Sequence, residues 1–272
     1  MKIFKERDLL NKEISGIKVL GFIPTMGSLH NGHIYLIKKA KLMSSKIIVS
    51  IFVNPKQFDS KLDFKKYPRN IKKDLHILKK LKVDYVYLPK YNQIYNFKTK
   101  NLIYKHPFSR KLCGKNRKIH FKGVLNVVNR FLEIIKPNYM FLGIKDFQQC
   151  FLIKHHIEKN NIKTKVIICK TIREKNGLAC SSRNKNLTIR EKAIASKVYH
   201  FLKNEKVLIR KKKIFKINLK KILEKILLLG IKKVDYISFL DIKKLNKPKN
   251  KNNIFNIFIA YYIGKIRLID NI

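Results

Sequence analysis

Short runs of consecutive apolar residues alternate along the chain with longer stretches in which apolar positions recur every three or four residues. The first pattern, closed by a turn residue, reads as a buried strand, and the second lays apolar side chains along one face of a helix. Residues 19–23, closed by Pro24, residues 46–53, closed by Asn54-Pro55, and residues 84–88, closed by Pro89, are predicted strands, as are 139–142 and 164–169. Between them, residues 31–45, 70–81, 122–135 and 146–159 carry the helical spacing; in the first of these Ile34, Leu36, Ile37, Ala40 and Leu42 are separated by lysines. Residues 90–120 have no clear period and read as a long loop with short elements. Strands alternating with helices imply an α/β fold, a doubly wound parallel sheet covered on both faces.

Near residue 172 the pattern changes. Beyond a polar segment at 173–186 come two amphipathic stretches, 189–202 and 217–229, then strand-like runs at 234–240, 254–262 and 266–269. This predicts a smaller C-terminal α+β domain, with domains at 1–172 and 173–272. Residues 243–253 form a lysine- and asparagine-rich loop.

Composition narrows the function classes. Hydrophobic residues make up 45% of the 272 residues, ample for a buried core and outside the disordered class. No stretch reaches the roughly 18 apolar residues of a membrane span, and the N-terminus lacks the apolar region of a signal peptide. A cytoplasmic protein with no membrane partner is the expectation. Cys113, Cys150, Cys169 and Cys180 form no CxxC pair, which argues against a zinc site and a disulfide framework. The net charge of +46 invites a nucleic-acid reading. A specific footprint would cluster the charge with aromatics for stacking; here lysine is spread through nearly every segment beside isoleucine and asparagine. Those are residues of A/T-rich codons, so genomic bias accounts for the charge and no specific nucleic-acid partner is expected.

Candidate chemistry begins at residues 24–33, PTMGSLHNGH, between a predicted strand and a predicted helix. That is the carboxyl edge where open α/β sheets bind ligands. Gly27 and Gly32 let the backbone approach a phosphate, and a helix N-terminus favours anions. His30 and His33, three apart, can face one point and donate to charge developing on a transferring group. No GxxxxGK[ST] is present, so this is not a Walker-type loop. Taken alone, the segment also fits a helix cap with two incidental histidines. At residues 54–58, NPKQF, Gln57 offers a carbonyl and N–H donors suited to a small polyol acid, or is a loop amide. At 143–149, GIKDFQQ, Lys145 offers a point charge to phosphates and Asp146 an N-cap or a ribose contact. Ser181, Ser182 and Arg183 supply two hydroxyls and a guanidinium, a phosphate-binding set or a polar linker.

The HxGH block resembles the Rossmann-like HxGH nucleotidyltransferase superfamily, and its fuller form is similar to the pantothenate synthetase (pantoate–β-alanine ligase) family. Residues 49–58 (VSIFVNPKQF) with Tyr67-Pro68-Arg69, 123–128 (GVLNVV), 143–149, 173–184 (REKNGLACSSRN) and the terminal RLIDN at 267–271 agree with that family in order. The resemblance implies ATP contacts at Met26, Gly27, Ser28, Leu29, His30, Asn31, Gly32, His33, Gly143, Ile144, Lys145, Asp146, Ile172, Cys180, Ser181, Ser182 and Arg183. It places His30, His33, Lys145 and Arg183 in catalysis, and Gln57, Gln149, Asn54 and Arg117 at pantoate or β-alanine. Val124, Val127 and Val128 line the apolar side of the pantoate pocket, and the second domain closes over the site.

Under this resemblance pantoate attacks the α-phosphorus of Mg²⁺-ATP to give pantoyl adenylate, and β-alanine then displaces AMP. Pantoate, β-alanine and ATP are the expected partners, with a homodimer. Asp74 is the candidate contact for Mg²⁺. The sequence departs from the family at Lys118-Ile119, where Pro-Gly is usual, which alters the allowed backbone beside Arg117. The alternative is an HxGH enzyme that transfers AMP or CMP to a phosphate-bearing alcohol.

Overall fold

The computed structural model describes residues 1–211, 217–250 and 254–272, and the chain divides into two compact units, Met1–Ile172 and Arg173–Ile272. The first unit begins with β1 (Lys2–Phe4), α1 (Arg7–Ile14), β2 (Leu20–Thr25), α2 (Asn31–Lys41), β3 (Lys46–Ile51) and a 3-10 turn (Pro55–Gln57). It continues through α3 (Lys61–Lys66), α4 (Ile71–Lys80), β4 (Tyr85–Tyr87), α5 (Tyr91–Tyr95), a 3-10 turn (Pro107–Arg110), α6 (Cys113–Asn116) and α7 (His120–Ile135). β5 (Tyr139–Gly143), a 3-10 turn (Ile144–Asp146), α8 (Phe147–Lys159) and β6 (Lys165–Cys169) complete it.

The strands of this unit form one parallel sheet in the order β1-β4-β3-β2-β5-β6. From β2 the chain builds outward through β3 and β4, then returns to the other side of β2 for β5 and β6. The winding direction therefore reverses between β2 and β5, the position at which open α/β sheets form a ligand crevice. Alternation along β2 sends neighbouring residues to opposite faces. Ile23 packs with Ile37 and Ala40 of α2, Leu78 of α4, and Val49 and Val86. Phe22 turns the other way, its ring 5.5 Å from Phe131 of α7, which also meets Phe52 and Tyr87 edge-on.

Two segments differ from the sequence expectation. β2 runs through Pro24 to Thr25, because β5 pairs with it only at Gly21 and Phe22. Proline's missing N–H is tolerated beyond that pairing. The charged N-terminal segment folds as β1 and α1, and β1 takes the sheet edge beside β4, pairing Lys2, Ile3 and Phe4 with Tyr85, Val86 and Tyr87. Three residues carry too little pattern to announce a strand.

In the second unit α9 (Ile189–Lys211) and α10 (Leu219–Leu228) precede an antiparallel sheet of β7 (Lys233–Asp241), β8 (Phe255–Ile263) and β9 (Ile266–Asn271). Ala195, Val198, Leu202, Ile222 and Ile226 of the helices pack with Phe255, Ile257 and Ile259 of β8. α9 continues nine residues beyond the stretch ending at 202, and buried Ile209 anchors that extension. Arg173 holds Asp270 through two bonds of 2.7 and 3.0 Å, tying the start of the unit to β9. Of the polar loop expected at 243–253, residues 251–253 lie outside the described residues; Asp241 Oδ1 accepts the N–H groups of Lys243 and Lys244 at its start. Among the described residues no helix is long and apolar enough to cross a membrane.

Candidate active site

Three loops leave the carboxyl ends of adjacent strands: 26–30 after β2, 52–58 after β3 and 144–146 after β5. They carry the expected Met26–His33, Asn54/Gln57 and Gly143–Asp146 groups, so the topology brings these to one edge of the sheet.

The loop after β2 is held in an unusual shape from below. Thr25 Oγ1 donates to the Ser50 carbonyl at 2.7 Å and accepts the Gly27 N–H at 3.1 Å. Gly27 and Ser28 both have positive φ, +76° and +53°, a region open to glycine and disfavoured for serine. Asp74, on the first turn of α4 and 2% exposed, accepts the N–H of Ser28 at 2.7 Å through Oδ2 and that of Leu29 at 2.8 Å through Oδ1. The family resemblance pointed Asp74 toward Mg²⁺; in the structure each of its oxygens accepts a loop amide. Among the described residues no cluster of three or more His, Cys, Asp or Glu could hold a metal ion.

His30 is the N-cap of α2, and its Nδ1 accepts the Gly32 N–H at 3.1 Å; His33 Nδ1 in turn lies 3.4 Å from the His30 N–H. An imidazole whose Nδ1 accepts an amide hydrogen carries its own proton on Nε2. The backbone therefore selects the Nε2–H form of both rings, which lie 4.0 Å apart between centroids. Both are half-buried beside the positive end of α2, where an anion is favoured. Asn31 is exposed and Met26 half-buried.

Gln57 is 8% exposed and Asn54 1%. Asn54 Nδ2 donates to Gln57 Oε1 and to the Gly123 carbonyl, each at 3.2 Å, and Asn54 Oδ1 accepts the Lys56 N–H at 3.2 Å and the Tyr95 hydroxyl at 2.9 Å. Asn54 was expected at the substrate. In the structure its amide is bonded to Gln57, Gly123, Lys56 and Tyr95. Gln57 Nε2 meets Met26 Sδ at 2.9 Å, joining this loop to the one after β2. The Gln57 carbonyl is bonded by Arg117 Nη2 at 3.1 Å and by His120 Nδ1 at 2.8 Å, while Arg117 Nε pairs with Asp59 at 3.0 Å. Arg117 thus supports the Gln57 loop. Beside it, Ile119 sits at φ −93°, an ordinary helical value, so the glycine usual in the family is not required at this turn.

α7 approaches this loop closely. A Cβ at Gly123 would lie 2.0 Å from the Lys56 carbonyl oxygen and 2.7 Å from Gln57 N, so only glycine fits. Val124, Val127 and Val128 are buried on α7. Gln149 is half-buried on the first turn of α8, whereas its neighbour Gln148 bonds the Phe108 and Lys111 carbonyls and the Cys113 N–H. Lys145 lies 3.4 Å from Asp146, and Asp146 occupies the N-cap position of α8 without a side-chain capping bond, contrary to expectation. Ile172 ends the first unit, half-buried.

In the second unit Ser181 caps a 3-10 turn (Ser182–Asn186), its Oγ accepting the Arg183 N–H at 3.3 Å. Cys180 and Ser182 are buried and Arg183 half-buried. Asn184 braces the turn by donating to Glu174 at 2.7 Å and the Ala179 carbonyl at 3.0 Å. Sequence reasoning missed Tyr95 and Asp59; neither lies in a spaced motif, and only their contacts with Asn54 and Arg117 reveal them, while His120, in the family-matched segment 117–121, had no role assigned to it.

Comparison with known proteins agrees with this geometry. A family profile described as Pantoate-beta-alanine ligase matches residues 2–272. A pantothenate synthetase of Francisella tularensis subsp. novicida (strain U112) is 44% identical over 255 residues, covering 93% of this chain and 88% of the relative. A crystal structure of pantoate-beta-alanine ligase from Francisella tularensis, complexed with beta-gamma ATP and beta-alanine, superposes with a TM-score of 0.84 at 42% identity, covering 100% of this chain and 97% of that one. Pantothenate synthetase from Thermus thermophilus gives a TM-score of 0.90 at 26% identity, covering 100% and 99%. With its site loops at the switch point of the sheet and family similarity along nearly its whole length, the chain belongs to the pantoate–β-alanine ligase family.

Proposed function

We propose that this chain condenses (R)-pantoate with β-alanine at the expense of ATP, releasing AMP and diphosphate, through a pantoyl-adenylate intermediate. The observation that carries the reading is the pair of backbone-selected Nε2–H imidazoles, His30 and His33, at the N-terminus of α2. In-line displacement at phosphorus needs positioning and charge neutralisation more than covalent chemistry. The two imidazole donors face charge developing on the phosphates, and Lys145, at the end of β5, adds a point charge. Gly32, without a side chain at the start of α2, lets ATP approach the backbone. Gln57 and Gln149 hold pantoate, with Val124, Val127 and Val128 against its gem-dimethyl group, worth about 0.8 kcal/mol per buried carbon. On their motif alone, Ser181, Ser182 and Arg183, with Cys180 and Ile172, are assigned to ATP.

Mg²⁺ enters as part of the MgATP substrate. The engagement of both Asp74 oxygens by amides, and the absence of an acidic cluster among the described residues, favour an ion carried by the phosphates. A homodimer and a cytoplasmic setting complete the proposal, the latter supported by four buried cysteines that form no disulfide.

Incubation with pantoate, β-alanine and MgATP tests it. Pantothenate and AMP should appear in equal amounts; ADP as the nucleotide product, or turnover indifferent to pantoate, contradicts the reading.

A further inference from the structure

Tyr95 lies outside every motif of the site, yet its surroundings give it a defined task. Two cations lie over its ring, Lys56 Nζ 4.0 Å and the Arg130 guanidinium carbon 5.0 Å from the centroid. Its hydroxyl donates to Asn54 Oδ1 at 2.9 Å, and burial pushes the phenol pKa up, keeping it a donor.

The orientation of the Asn54 amide follows from two backbone groups whose roles cannot be exchanged. The Lys56 N–H can only donate, and it lies 3.2 Å from Oδ1; the Gly123 carbonyl can only accept, and it lies 3.2 Å from Nδ2. Nδ2 is therefore the atom turned to Gln57, which must answer with Oε1, as it does at 3.2 Å. With its oxygen committed, Gln57 presents Nε2 on its other side. There it meets Met26 Sδ, a weak acceptor that a carboxylate or hydroxyl oxygen can displace.

We propose that Asn54, its amide oriented by the Lys56 N–H and the Gly123 carbonyl and held in place by the Tyr95 hydroxyl, forms a hydrogen-bonded relay that fixes the polarity and position of the Gln57 amide, so that Gln57 offers the hydroxy acid N–H donors and never its side-chain carbonyl. Tyr95 is a positioning residue, acting through Asn54. The relay selects for a substrate with an oxygen acceptor at this point, because a reversed Gln57 would set its own oxygen against the substrate's. The inference rests on the reading that Gln57 holds pantoate.

Tyr95→Phe keeps the ring beside its cations and removes only the hydroxyl. The kcat/KM values for pantoate and for ATP are measured in Tyr95→Phe, Gln57→Ala and the double variant. Tyr95→Phe should lower pantoate kcat/KM roughly 5- to 10-fold, the scale of one hydrogen bond, and leave the KM for ATP unchanged. In the Gln57→Ala background the same substitution should cost nothing further, since the amide it orients is gone. Equal losses for both substrates, or additive losses in the double variant, overturn the relay and leave Tyr95 a structural role. If Gln57→Ala loses pantoate use while Tyr95→Phe retains it, the relay alone fails. If Gln57→Ala leaves pantoate kcat/KM intact, the assignment of Gln57 itself fails and the relay with it.

Discussion

The carboxylate of Asp74 accepts the backbone N–H of Ser28 at 2.7 Å, from a helix 46 residues further along the chain. Ser28 sits at φ +53°, where a serine is strained, and the second oxygen of Asp74 takes the next amide, Leu29. The loop that precedes His30 is thus shaped by a buried acid on another element. Asp74→Asn keeps the volume but turns an N–H against an amide N–H. Hydrogen bonds to a charged group contribute about 1.5–3 kcal/mol each, so the variant should melt earlier and lose about 10²-fold in kcat/KM for ATP. Added Mg²⁺ should restore neither. Recovery of activity at high Mg²⁺, with an unchanged Tm, would instead make Asp74 a metal contact.

Gly123 is the point where α7 meets the Gln57 loop. A methyl group there would fall 2.0 Å from the Lys56 carbonyl oxygen, inside van der Waals contact with backbone that has no rotamer to yield. Gly123→Ala should therefore move Gln57 and raise the KM for pantoate at least about tenfold, with overpacking costing roughly 1–3 kcal/mol of stability. Steady-state kinetics alongside thermal melting checks both; a variant with normal pantoate KM would show that α7 does not set the position of Gln57.

The sheet, its parallel sense and the change of pattern toward the C-terminus were legible because continuous apolar runs and three-to-four spacing are properties of single segments. So was the carboxyl edge as the place where the candidate residues gather, since Asn54-Pro55 and Gly143 mark strand ends. Contacts between distant segments were not. Asn54 and Gln57 are both amides in one motif, and only Tyr95, 41 residues away, and Gly123, 69 away, show that the Asn54 amide is engaged by other parts of the protein. Asp74 likewise looks from sequence like a stray acid in a lysine-rich helix. Its partners are main-chain N–H groups, which every residue but proline possesses and no motif can display.

A second buried polar network lies between α7 and α8. His156 is fully buried, its Nε2 3.0 Å from Asn129 Oδ1, with Asn160 on the other ring nitrogen at 3.2 Å. Burial pushes the imidazole down to about 4, with Glu133 opposing that shift. An unfolded histidine titrates near 6.5, so between these values the unfolded chain binds the extra proton. Stability from this group is then fully present above about pH 6.5 and is lost as pH falls toward 4, by on the order of 3 kcal/mol. Urea unfolding of the native chain and of His156→Gln should show the slope between pH 7 and 4.5 flattened in the variant; parallel curves would place the acid sensitivity elsewhere.

His33→Ala removes one Nε2–H donor, and also the Nδ1 acceptor of the His30 N–H. Adenylate formation should fall by about 10² or more, the scale of one lost transition-state donor. His33→Asn, whose amide can still cap His30 but reaches less far, should keep the fold and recover little activity. Near-wild-type single-turnover rates in either variant would remove His33 from the phosphate site.

In the proposed reaction the acid is activated on phosphorus before the amine arrives. Isotope exchange between diphosphate and ATP, measured with MgATP and with pantoate and β-alanine each present or absent, isolates that half-reaction. Exchange that requires pantoate and proceeds without β-alanine is the predicted result. Exchange without pantoate, or exchange that appears only when β-alanine is added, would contradict it.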